Sequence, residues 1–133
     1  MKYCADIWFI LKVFEKDQQG AQIIEDTKLG KARIIIPIST FAEATKKLMQ
    51  RGVPYSVIEL FFQGVESSEK VTLISLEKDI ALEAAKISLS YNVAMLDSFV
   101  AATAKIMGCE YVLTKDTDFK PLIKRNYLKV KSW

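Results

Sequence analysis

The chain has 133 residues, half of them hydrophobic and 26% charged, with 19 Lys and Arg against 16 Asp and Glu and a formal charge of +3. That is ordinary globular composition, enough for one domain over residues 1–133 whose core needs neither disulfides nor structural metal, and too mildly basic to establish a nucleic-acid partner by charge alone. There is no histidine, which excludes Ser-His-Asp and Cys-His nucleophilic sites, imidazole zinc sites and ribonucleases built on a histidine acid–base pair.

Taken in chain order, Lys2 to Asp6 reads as a short strand, followed by a helix from about Trp8 to Lys16 and a second from Gln18 to Leu29 that stops near Gly30. The apolar run at the N-terminus is interrupted by Asp6 and lacks a small-residue cleavage site, so a soluble, cytoplasmic protein is expected. Arg33 to Pro37 is a strand of three isoleucines stopped by proline. Phe41, Ala44, Thr45 and Leu48 keep helical spacing until Gly52 and Pro54, and a further helix carries Val57, Ile58, Phe61 and Val65. Val71 to Ser75 is a third strand. Ile80, Ala84, Ile87 and Tyr91 mark one helix face, and Asp97 to Met107, apolar almost all round, a helix buried on several sides and capped by Gly108.

Tyr111 to Thr114 is a fourth strand, Phe119 to Lys124 a short helix, and Tyr127 to Lys131 a candidate fifth strand. Apolar strands alternating with helices predict an α/β fold: a three-layer α/β/α sandwich around a mostly parallel sheet of four or five strands. Cys4 and Cys109 are expected to be buried free thiols in a reducing compartment, with a bridge between them left open. Ile58, Leu60, Phe61 and Phe62 give one helix more apolar surface than a single buried face needs, so they are either deep core or an interaction patch.

The acids fall where such a sheet gathers its loops. Asp6 closes the first strand, Glu43 lies in the first turn of the helix after the second, Asp97 opens the apolar helix, and Asp116 and Asp118 follow the fourth strand. Ligands bind beyond the carboxyl ends of parallel strands, so these acids are expected to converge. Converging carboxylates repel, and either a proton or a divalent cation must relieve them; Mg²⁺ or Mn²⁺ suits such hard oxygen ligands and phosphate chemistry. Each acid also has a plainer reading. Thr40 with Glu43 spells a capping box, Glu43 can pair with Lys46 or Lys47, Asp97 can be an N-cap, and Asp116 and Asp118 can be turn and cap residues.

Asp6, Ser39-Thr40-Phe41-Ala42-Glu43, Leu96-Asp97-Ser98-Phe99-Val100-Ala101-Ala102-Thr103-Ala104 and Leu113-Thr114-Lys115-Asp116-Thr117-Asp118-Phe119, in that order, resemble a PIN domain over essentially the whole chain. The length is similar to that of the VapC-type ribonuclease toxins of prokaryotic toxin–antitoxin pairs. The resemblance implies a PIN-like fold and a Mg²⁺- or Mn²⁺-dependent endoribonuclease. Asp6, Glu43, Asp97 and Asp116 would form its acidic quartet, Asp118 would be an auxiliary acid, and Thr114 would be the hydroxyl near the water network.

Under that resemblance Asp6, Asp97, Asp116 and Asp118 would hold the metal, Glu43 would orient or deprotonate the attacking water, and Lys46, Lys47, Arg51, Lys115 and Lys120 would flank an RNA groove. It further implies a homodimer and an inhibiting VapB-like antitoxin. The chain departs from the pattern at Asp6-Ile7-Trp8, where many members carry Asp-Thr-Asn or Asp-Ser-Ser. A catalytically silent module that binds RNA or protein is therefore the alternative. The Asp-x-Asp of haloacid-dehalogenase phosphatases is matched only superficially by Asp116-Thr117-Asp118, because about fifteen residues remain after it.

Overall fold

A computed structural model describes residues 1–133. Its strands are β1 (Lys2–Ala5), β2 (Arg33–Pro37), β3 (Val71–Ile74), β4 (Tyr111–Leu113) and β5 (Val130–Lys131). Its helices are α1 (Ile7–Phe14), α2 (Gln18–Lys28), α3 (Ile38–Gln50), α4 (Tyr55–Ser67), α5 (Lys78–Tyr91), α6 (Met95–Ile106) and α7 (Lys120–Lys124), with a 3₁₀ turn at Thr117–Phe119. All five strands run parallel in the order β3-β2-β1-β4-β5. The expected α/β sandwich is thus present, with five strands and no antiparallel pair.

Alternation along the strands divides the core in two. Tyr3, Ala5, Ile34, Ile36 and Leu113 point to one face, where they meet Phe9, Ile10, Ala44, Leu48, Ile58 and Phe62 from α1, α3 and α4. Cys4 and Val112 point to the other, against Ile80, Ala84 and Ile87 of α5 and Val100, Ala101 and Ala104 of α6. Both cysteines are free; Cys4 is fully buried, with its thiol donating to the Val100 carbonyl at 3.7 Å, whereas Cys109 is only half-buried rather than enclosed as expected.

Several boundaries differ from the periodicity for local reasons. α1 starts one residue earlier than expected and ends at Phe14, since Lys16 takes a left-handed φ of 59°. α3 begins at Ile38, straight after β2, with Pro37 in the cap position. Thr40 therefore lies inside the helix and caps nothing, which removes the capping-box reading of Thr40 and Glu43. Its hydroxyl instead donates to the Ala5 carbonyl at 2.9 Å, fully buried, and ties α3 to the end of β1. Thr40→Val keeps the shape and loses that bond, so the midpoint of denaturant unfolding should fall by the equivalent of about 1–2 kcal/mol. The run Ile58, Leu60, Phe61, Phe62 is sorted by helical phase: Ile58 and Phe62 enter the core, Phe61 is half-buried and Leu60 is exposed.

Candidate metal centre

The strand order supplies a switch point. From β1 the chain builds outward through β2 to β3, then crosses back to add β4 and β5 on β1's other side. Loops leaving β1 and β4 therefore diverge at their carboxyl ends and leave a crevice between them. Asp6 follows β1 directly, its backbone N–H still donating to the Leu113 carbonyl at 3.3 Å. Thr114 follows β4, and Asp116 lies two residues beyond it.

Asp97 arrives from α6, which packs against β1, β2 and β4. The N-cap position of α6 belongs to Ala94, so Asp97 sits in the first turn rather than at the cap and is not needed to start the helix. One carboxylate oxygen from each of Asp6, Asp97 and Asp116 lies within 4.8 Å of the others, the first of these acids far in sequence from the other two.

Thr114 organises this group. Its hydroxyl, 1% exposed, donates to Asp6 Oδ2 at 2.7 Å and accepts from the Asp116 backbone N–H at 3.0 Å. Asp116 in turn accepts from the Asp118 N–H at 2.9 Å, closing the turn. The turn reading of Asp116 thus holds alongside its place in the cluster. Asp118 is exposed and outside the group of three; its backbone amide, not its carboxylate, meets Asp116. The hydrogen bonds of Thr114 thus run to the two acid-bearing loops.

Glu43 is half-buried in the second turn of α3, not the first, and stands outside the three-oxygen group. It is nonetheless within electrostatic reach: burial, then the charges of Asp6 and Asp116, push its carboxyl up, against a smaller opposing pull from Lys46. Burial likewise raises Asp6, partly offset by the hydrogen bond from Thr114. Asp97 is pushed to about 7, first by burial and then by the charges of Asp116, Asp6, Asp118 and Glu43.

Of the five basic candidates all are exposed, but Arg51 is paired with Glu15 at 3.2 Å, and Lys115 lies over the Trp8 ring.

The family model for the PIN domain matches residues 3–123. The chain belongs to the PIN domain family. No curated protein matches the sequence. Solved structures of similar shape include VapBC2 from Rickettsia felis bound to a promoter DNA fragment, at 13% identity and TM-score 0.74, covering 100% of this chain and 99% of that one. A toxin–antitoxin complex from Klebsiella pneumoniae aligns at 17% identity and TM-score 0.69, over 88% and 89% of the two chains. Mycobacterium tuberculosis VapC20, described as a sarcin–ricin loop cleaving toxin, aligns at 13% identity and TM-score 0.67, over 89% and 92%. At these identities the likeness shows the fold of this PIN domain, a five-stranded parallel sheet between helices.

The donor set fits a hard divalent cation. Ligands across an octahedral Mg²⁺ lie about 4.2 Å apart and neighbouring ones about 3 Å, within the span of the three oxygens. A buried carboxylate crowded by two others favours either a proton or a cation, and the cation costs no loss of charge on the ligands.

Proposed function

We propose that this PIN domain, residues 1–133, is a cytoplasmic Mg²⁺- or Mn²⁺-dependent endoribonuclease acting as the toxin of a toxin–antitoxin pair. The observation that carries the reading is the meeting of Asp6, Asp97 and Asp116 oxygens within 4.8 Å at the switch point of a parallel sheet. No helix is long and apolar enough to cross a membrane.

In this reading Asp6, Asp97 and Asp116 hold the cation, with Asp118 as an outer acid. Bound there, the ion would make water acidic enough to attack at neutral pH and would offset charge building on the phosphate. Thr114 keeps Asp6 and the Asp116 loop in register, so its contribution is positioning. Glu43, whose carboxyl is raised by burial and by its acidic neighbours, accepts the proton of the attacking water. With no histidine to deprotonate a ribose 2′-hydroxyl, attack by water is favoured, leaving a 5′-phosphate.

Partner surfaces support the toxin reading. An apolar groove of about 360 Å³ runs between α1, α2 and α4, lined by Phe9, Ile24, Leu60, Phe61 and Val65 among others, and would take an amphipathic segment of an antitoxin. On the opposite layer, α5 exposes Leu82 and Leu89, the latter 88% exposed, which a second copy would cover.

The test is incubation with single-stranded RNA in Mg²⁺ or Mn²⁺ and in chelator. Cleavage to 5′-phosphate ends with metal and none without is expected; cleavage that persists in chelator overturns the metal assignment. A silent binding module would retain RNA and cut nothing. Because Asp97 must give up a proton held to about 7, Mg²⁺ affinity should rise up to about tenfold per pH unit below that value and flatten above it. Calorimetric titrations at pH 6, 7 and 8 check this.

A further inference from the structure

Two residues past Asp6, in the first turn of α1, the chain carries an indole. Trp8 is half-buried, whereas its neighbours Phe9 and Ile10 take the buried face of α1. One contact on it is Trp133, just beyond β5, with ring centroids 4.8 Å apart and planes at 59°. Trp133 is itself fixed: its indole N–H donates to Asp17 Oδ2 at 2.7 Å, and it meets the edge of Phe9 at 6.3 Å. The other contact is the ammonium of Lys115, the residue between Thr114 and Asp116, 5.9 Å from the Trp8 ring centre. That distance is the outer edge of cation–π reach, so the exposed lysine is loosely held.

All strands being parallel, the ends of β1, β4 and β5 open on the same edge of the sheet. A backed aromatic ring two residues from Asp6 and an exposed cation next to Asp116 therefore flank the acids along the chain. An acidic crevice repels phosphates, and binding there needs a contribution insensitive to charge together with a cation for the backbone. Stacking on an aromatic ring supplies the first and Lys115 the second.

We propose that Trp8, backed by Trp133 and flanked by Lys115, is a subsite that stacks one unpaired base of the RNA beside the scissile phosphate. Lys115 swings from the ring to a neighbouring phosphate as the base lands. The proposal rests on the ribonuclease reading and adds to it the source of substrate affinity: one splayed base next to the cut.

The experiment is steady-state cleavage of a short single-stranded oligoribonucleotide in Mg²⁺ by wild type, Trp8→Leu, Trp8→Phe and Lys115→Ala, with a scan of abasic replacements along the oligonucleotide. Trp8→Leu should raise KM about tenfold with kcat within about twofold, and Trp8→Phe should recover most of the loss. Lys115→Ala should lower the dependence of log(kcat/KM) on log salt by roughly one contact's share. Wild type should lose about tenfold in kcat/KM at one abasic position next to the cut, and Trp8→Leu should be indifferent to that position.

An unchanged KM in Trp8→Leu, equal loss in Trp8→Phe, or an abasic scan with no preferred position overturns the subsite while leaving the ribonuclease reading intact. If Trp8→Leu does not fold, the wild-type abasic scan decides alone. Wild type that cuts no RNA with either metal overturns the ribonuclease reading and this proposal with it.

Discussion

Asp97→Asn should abolish metal-dependent RNA cleavage, a loss of about 10³-fold, and at the same time make the metal-free protein more stable at pH 8. The first effect follows from what the cation contributes: several kcal/mol of transition-state charge stabilisation, each 1.36 kcal/mol being about tenfold in rate. Asn offers an amide oxygen in place of a charged ligand in a group of three.

The second effect follows from linkage. The Asp97 carboxyl is pushed from 3.8 to about 7 in the folded chain. Between those values the native state binds more protons than the unfolded state, so stability falls as pH rises through this window and the full penalty stands above it. The side chain is only partly buried, and after allowing for screening the penalty at pH 8 is about 1–2 kcal/mol. Asn cannot ionise and escapes it. Thermal midpoints in chelator should therefore be higher for the variant at pH 8 and converge as pH falls below the unfolded value of 3.8, where the carboxyl is protonated in both folded and unfolded chains. Midpoints that coincide at pH 8, or cleavage that survives, would return Asp97 to an ordinary helix residue.

The expectation that acids stand at strand ends depended only on local pattern. Three isoleucines before Pro37, or an acid directly after Tyr3-Cys4-Ala5, mark strands and their ends wherever the strands lie in the sheet. That Asp6 and Asp116 meet needs only the further rule that parallel strands end on one edge; Asp97 joins them because α6, which leads into β4, begins at that edge. What local pattern could not carry was adjacency. The bond from Thr114 to Asp6 joins residues 108 positions apart and exists because β4, not β3, lies beside β1.

The start of α3 escaped for a different reason. Phe41, Ala44, Thr45 and Leu48 report the buried stripe of a helix but not its first turn, and Pro37, which stops a strand, serves as well in the cap position of the helix that follows. Thr40 consequently resembled a cap while its hydroxyl was holding β1. The fate of the α4 apolar run was similarly open, since Leu60 and Phe62 differ by two positions and only the docked helix decides which faces the core.

Glu43→Gln should lower kcat by about 10²–10³-fold while changing Mg²⁺ affinity by no more than about threefold. Glu43 and the three clustered aspartates are all acids of one crevice, yet the structure separates them: three oxygens share a 4.8 Å group and the Glu43 carboxylate is not among them. Its proton is held more tightly than that of an ordinary glutamate because of burial and the charges of Asp6 and Asp116. A base must be deprotonated to act, so at saturating metal the wild-type rate should climb with pH above the usual glutamate range and then level. Gln preserves the side chain's shape and cannot take a proton, so that rise should vanish in the variant. A ligand would behave otherwise. Its removal would weaken Mg²⁺ binding by tenfold or more, and raising the metal concentration would restore the rate. Calorimetric metal affinity set beside kcat at saturating Mg²⁺ separates the two roles, because only loss of the base leaves a slow enzyme with its cation fully bound.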